Sequence, residues 1–117
     1  MKKWTFKRPW GMNRYQKTAI GSKVYGAGQA IIYPTLKLNG EAGEVAEKVG
    51  KVLRDNDGVF TDEIKNAIAL ELGDVLWYIA ALADDIGYTL DDIANLNIKK
   101  LKSRVKRNKI HGEGDNR

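Results

Sequence analysis

The 117-residue chain has no cysteine, a single histidine and only two prolines. Without cysteine there is no disulfide framework, no thiolate nucleophile and no cysteine zinc site. His111 alone cannot build a histidine-rich metal centre. No apolar run approaches the length needed to cross a bilayer. The N-terminus, "MKKWTFKRPWG", begins basic but lacks the apolar core of a secretory signal, so a cytoplasmic location and no membrane partner are expected. Convincing strand patterns, solenoid repeats and low-complexity segments are lacking too. What remains is a composition of 43% hydrophobic and 30% charged residues, suited to one domain over residues 1–117 with a single core.

The net charge of +5 conceals a segregation. Thirteen of the fifteen acids lie between Glu41 and Asp92, whereas "IKKLKSRVKRNKI" at 98–110 is strongly basic. An acidic middle and a basic end fit either nucleic-acid binding or a cation site beside a polyanion site.

Apolar periodicity predicts four helices and an antiparallel four-helix bundle. The first spans about 12–32, with Pro34 ending or interrupting it. The second covers roughly 36–54 and stops at "RDNDG", where Gly58 suits a left-handed position. Thr61 is the expected N-cap of the third, 62–86, which ends at Gly87. Thr89 and Asp92 form a capping-box pattern opening the fourth, about 90–110. The tail "HGEGDNR" is polar and glycine-rich.

At about 100° per residue, Leu38, Ala42, Val45, Ala46, Val49, Val52 and Leu53 form one apolar arc on the second helix. Glu41 lies at its edge and Glu44 just beyond. On the third helix, Ile64, Ile68, Leu72, Val75, Leu76, Ile79, Ala83 and Ile86 form the arc, with Glu71 at the edge and Asp74 just beyond. If these helices are neighbours, four carboxylates converge, repelling by several kcal/mol at an effective dielectric of ~20. A divalent cation relieves that repulsion, and an oxygen-only donor set suits Mg²⁺ or Mn²⁺. The alternative is two solubilising faces with a Glu44–Lys48 pair at i,i+4. Two matched pairs at a core edge favour the metal. Glu47 falls away from that edge and reads as a surface residue.

The fourth helix carries the opposite charge. Leu90, Ala94, Ile98, Leu101 and Val105 form its arc, and Asn97, Lys100 and Arg104 line one edge. An amide, an ammonium and a guanidinium there suit phosphate oxygens. Lys99, Lys102 and Lys106 read as a solvated face.

"EAGE" at 41–44 followed by "ELGD" at 71–74 resembles the paired E-x-x-E and E-x-x-D signature of the MazG-like nucleotide pyrophosphohydrolases, all-α enzymes of nucleoside triphosphates. The closing "NIKKLKSRVKRNKIHGEGDNR" resembles the N-x-x-K-L-x-x-R segment and tail of small members. The resemblance runs from about Tyr15 to Arg117. It implies hydrolysis of (d)NTPs between the α and β phosphates to a monophosphate and pyrophosphate, in nucleotide-pool house-cleaning. It implies Mg²⁺, with Mn²⁺ as a substitute, held by Glu41, Glu44, Glu71 and Asp74. It also implies a homo-oligomer, dimer or tetramer, with substrate near subunit contacts. Asn97, Lys100 and Arg104 match positions that engage phosphate or sugar, and Lys51 matches a basic position common in the motif.

Cleaving a phosphoanhydride needs an activated water, neutralised phosphate oxygens and a stabilised leaving group. Glu41 or Glu44 is the expected general base, while Lys100 and Arg104 suit the leaving pyrophosphate. Tyr15, Gln16, Trp77 and Tyr78 are candidates for the base. Of these Tyr78 shares the edge of Glu71 and Asp74, and Trp77 reads better as packing. Trp4, Phe6 and Trp10 are expected to fold back over the bundle or a neighbouring subunit. The rival is a non-enzymatic nucleic-acid-binding bundle using the basic C-terminal helix. It gives no reason for the acid pairs. A di-iron bundle would need Glu-x-x-His motifs, which the chain lacks.

Overall fold

The computed structural model describes residues 11–107, and all regular structure among them is helical. Four helices follow in order: α1 (Met12–Ile20), α2 (Ile32–Asp55), α3 (Asp62–Asp85) and α4 (Leu90–Lys106). A 3₁₀ turn at Ala27–Gln29 lies between α1 and α2. Expectations for Trp4, Phe6, Trp10, His111 and the tail fall outside the described residues. The fourth helix ends at Lys106, with Arg107 as its C-cap, short of the expected 110.

The capping signals work as read. Thr61 accepts from the Ile64 N–H, and Thr89 with Asp92 forms a reciprocal capping box. Gly58 and Gly87 take φ of 73° and 83° after α2 and α3, conformations that cost glycine little. The first expected helix, however, is too long. It stops at Ile20, and Pro34 belongs to the next helix. In the first turn of α2 the N–H that proline lacks would have no intrahelical partner anyway, so the ring is accommodated there and buried.

α2 and α3 pack along their length. Lys51 and Val52 share a groove with Ile64 and Ala67, Lys48 reaches Glu71, and Glu41 meets Asp74. α1 lies across the C-terminal part of α3, where Ala80, Ala81 and Ala83 allow close approach. The buried Gln16 joins these parts. Its Nε2 donates to the carbonyls of Ala80 (3.1 Å) and Tyr88 (3.0 Å), and its Oε1 accepts from the Leu90 N–H (3.0 Å). Asn13 Oδ1 accepts from Asp91 N–H at 2.9 Å, and Thr89 Oγ1 from Asp92 N–H at 3.1 Å. The first three amides of α4 are thus satisfied by side chains.

The apolar arcs are only partly buried. Leu53, Leu72, Ile86, Ile98, Leu101 and Val105, all expected inside the bundle, are exposed. α1 is too short to cover more than one end of α3, and α4 meets α1 and α3 without lying along α2. The radius of gyration, 17.1 Å, exceeds the roughly 13 Å of a compact domain of this length. α3 is also long and apolar enough, by length and composition, to cross a bilayer, contrary to the expectation that no segment is. Glu71 and Asp74 at its middle would each cost about 3 kcal/mol in hydrocarbon. Here they instead border the packing with α2.

Candidate metal centre

Glu41 projects from α2, and Glu71 and Asp74 from α3, so that one carboxylate oxygen of each lies within 4.8 Å of the others. Their burial follows their angular position. Glu41 and Glu71, at the arc edges, are half-buried, while Asp74, just beyond, is exposed. Glu44, also beyond its edge, is exposed and stands outside this three-residue group. Two charges about 4.8 Å apart repel by about 1 kcal/mol in water and about 3 kcal/mol at a dielectric of ~20. Lys48 offsets part of this, with Nζ 3.5 Å from Glu71 Oε1. The cross-helix pair replaces the Glu44–Lys48 pairing considered from sequence. The all-oxygen set fits a hard divalent cation.

Beside the acids opens a cleft of about 400 Å³, lined by Ser22, Val24, Glu41, Asp74, Trp77 and Tyr78. Tyr78 sits where its sequence position placed it. Burial raises its pKa, and Tyr33, Glu41 and Asp74 add to the rise, so the phenol stays neutral, hydrogen-bonded with Tyr33. Tyr15 is raised likewise, by burial and then by Asp74. Trp77 has a packing role as well as a cleft position. Its indole N–H donates to the Ala19 carbonyl (3.1 Å) and to Ser22 Oγ (3.0 Å), tying α3 to the end of α1. Gln16, considered for base recognition, spends its amide on backbone groups in the core and does not line the cleft.

The basic candidates lie elsewhere. On α4, Asn97 is exposed, Lys100 half-buried and Arg104 buried, and the described cleft lining includes no α4 residue. Lys51 pairs with Glu47 at 3.3 Å beside the separate groove near Val52. Glu47 is an exposed surface residue, as read.

A model of the MazG nucleotide pyrophosphohydrolase domain matches residues 33–108. The chain belongs to this family. The match covers both acidic motifs and all of α4, and begins after α1 and the α1–α2 connector. Gene 37 protein of Mycobacterium phage L5 is similar, 46% identical over an alignment of 109 residues that covers 88% of this chain and 96% of that protein. No solved structure gives a significant match. The matched segment contains all four acids, Glu41, Glu44, Glu71 and Asp74. The sequence did not show the Lys48–Glu71 pair, Tyr33 beside Tyr78, or the group around Asp85.

Proposed function

We propose that the protein is a Mg²⁺-dependent nucleoside triphosphate pyrophosphohydrolase, splitting (d)NTPs between the α and β phosphates into (d)NMP and pyrophosphate. The observation that carries this reading is the convergence of Glu41, Glu71 and Asp74 beside an aromatic-walled cleft, in a chain of the MazG family. Glu41, Glu71 and Asp74 would hold the cation, with Glu44 one turn along α2. Such a cation, or Mn²⁺ in its place, supplies charge neutralisation at phosphate oxygens and acidifies the attacking water. Glu41 or Glu44 takes the proton from that water. Tyr78 and Trp77 present ring faces to the nucleoside.

Asn97, Lys100 and Arg104 take the phosphate or sugar, and Lys51 is a weaker phosphate contact. With no α4 residue in the described cleft lining, the basic edge meets substrate where a second copy completes the site. The exposed apolar residues of α2, α3 and α4 support a homo-oligomer, dimer or tetramer, in which antiparallel helices of two copies close a bundle. We place the single domain in the cytoplasm, acting on free nucleotides.

The test is product identity. Phosphorus NMR of a dNTP panel with Mg²⁺ should show monophosphate and pyrophosphate growing together. Diphosphate and orthophosphate would contradict the α–β cut. No turnover, together with salt-sensitive DNA binding, would favour the nucleic-acid-binding bundle.

A further inference from the structure

Ile31 has φ 68° and ψ −53°, a conformation that β-branched residues rarely adopt. It is the centre of a γ-turn, in which the Ile32 N–H donates to the Ala30 carbonyl at 2.7 Å. Strain of this kind persists only where surrounding contacts impose it. Here they converge on Asp85, in the last turn of α3. Its Oδ2 accepts from the Ile31 N–H (2.9 Å) and the Tyr25 hydroxyl (2.9 Å), and its Oδ1 from Lys23 Nζ (2.8 Å). Lys23 also reaches Asp84 at 3.1 Å. A carboxylate at a helix C-terminus is disfavoured by the helix dipole. Three donors from one connector outweigh that cost, and the side chain is only 6% exposed.

The connector so anchored leads into the cleft by two routes. Its first residues supply Ser22 and Val24 to the lining, where Val24 is 93% exposed. Its tyrosine starts a row of rings: Tyr25 to Tyr33 (centroids 5.2 Å), Tyr33 to Tyr78 (6.4 Å) and Tyr78 to Trp77 (4.8 Å). The last two rings line the cleft beside Glu41 and Asp74. Lys23, Tyr25 and Ile31 precede the segment matched by the family model.

We propose that Asp85 is a positioning residue for the nucleoside end of the substrate: by clamping Ile31, Tyr25 and Lys23 it fixes the connector and the ring row as the wall of the cleft. This rests on the pyrophosphohydrolase reading. Asp85 touches neither the acids nor the cleft lining. Its loss therefore weakens substrate and transition-state binding alike, which raises KM and leaves kcat.

The experiment compares steady-state pyrophosphate release from the four dNTPs by the wild type, Asp85→Asn and Tyr25→Phe, all with Mg²⁺. Asp85→Asn should raise KM about tenfold with kcat within about twofold, and narrow the spread of kcat/KM among bases. Tyr25→Phe keeps the ring against Tyr33 and removes one donor, so it should raise KM about threefold even if Asp85→Asn folds poorly. Wild-type KM and base preference in folded Tyr25→Phe and Asp85→Asn would overturn the inference while leaving the hydrolase reading intact. A fall in kcat at constant KM would overturn it equally. Absence of turnover by the wild type itself would instead overturn the hydrolase reading and take this inference with it.

Discussion

Lys48 of α2 lies 3.5 Å from Glu71 of α3, reaching across the helix pair to one of the three clustered carboxylates. The ammonium stands in for part of the charge that a cation would neutralise, and it opposes that cation. Lys48→Met should therefore tighten Mn²⁺ binding about fivefold, corresponding to ~1 kcal/mol of removed repulsion at a half-exposed site. Calorimetric titration with Mn²⁺ checks this. Weaker binding would mean that Lys48 organises Glu71 rather than competing for it.

Gln16 holds α1, α3 and the start of α4 with one amide. Gln16→Leu keeps the volume but leaves the Leu90 N–H without its acceptor, and should cost about 2–3 kcal/mol. Asn13→Ala, at the more exposed neighbouring amide, should cost about 1 kcal/mol. Urea unfolding of both variants gives the comparison, and equal losses would show that burial does not decide the cost.

Asp85 gives a pH dependence with a definite sign. Burial pushes its pKa up, but hydrogen bonds from Ile31, Lys23 and Tyr25 outweigh burial and hold it below the ordinary carboxylate value. Its stabilisation is thus complete above the unfolded pKa, about 3.9, and is lost as pH falls through the lower folded value. Asp85→Asn should cost about 3 kcal/mol near neutrality. The gap from wild type should begin to narrow below about pH 4 and close only below the folded value. A gap unchanged at pH 3 would mean that the carboxylate charge is not what matters.

The exposed stripe predicts assembly. Leu72→Lys places a charge on an apolar face 52% exposed in the single chain, where it costs a monomer little. If a second copy covers that face, sedimentation of the variant should give a monomer and of the wild type a dimer or larger species.

The acids were legible in the sequence because angular position on a helix is a local property. Glu41 and Glu71 at the arc edge came out half-buried, and Glu44 and Asp74 beyond it exposed. Thr61 and the Thr89–Asp92 box were legible for the same reason, since each cap spans only four residues. What periodicity cannot say is which apolar stripe finds its partner within the chain. Leu72 and Ile98 fit their arcs and remain exposed all the same. Nor can it find pairings that depend on distant residues. Ile31 meets Asp85 across 54 positions and Gln16 meets Leu90 across 74, with no spacing rule to connect them. The break after Ile20 was obscured because Pro34 reads as a terminator, although the first turn of a helix accepts proline as readily.

On the proposed reading, carboxylates from both acidic motifs hold a catalytic divalent cation. Pyrophosphate release from a dNTP as Mg²⁺ is titrated, for the wild type, Glu71→Gln and Asp74→Asn, each shown to be folded, tests this. Saturable Mg²⁺ dependence is expected in the wild type, with at least a ~100-fold loss of rate in each variant. Folded variants that release pyrophosphate at the wild-type rate, with the same Mg²⁺ midpoint, would contradict it.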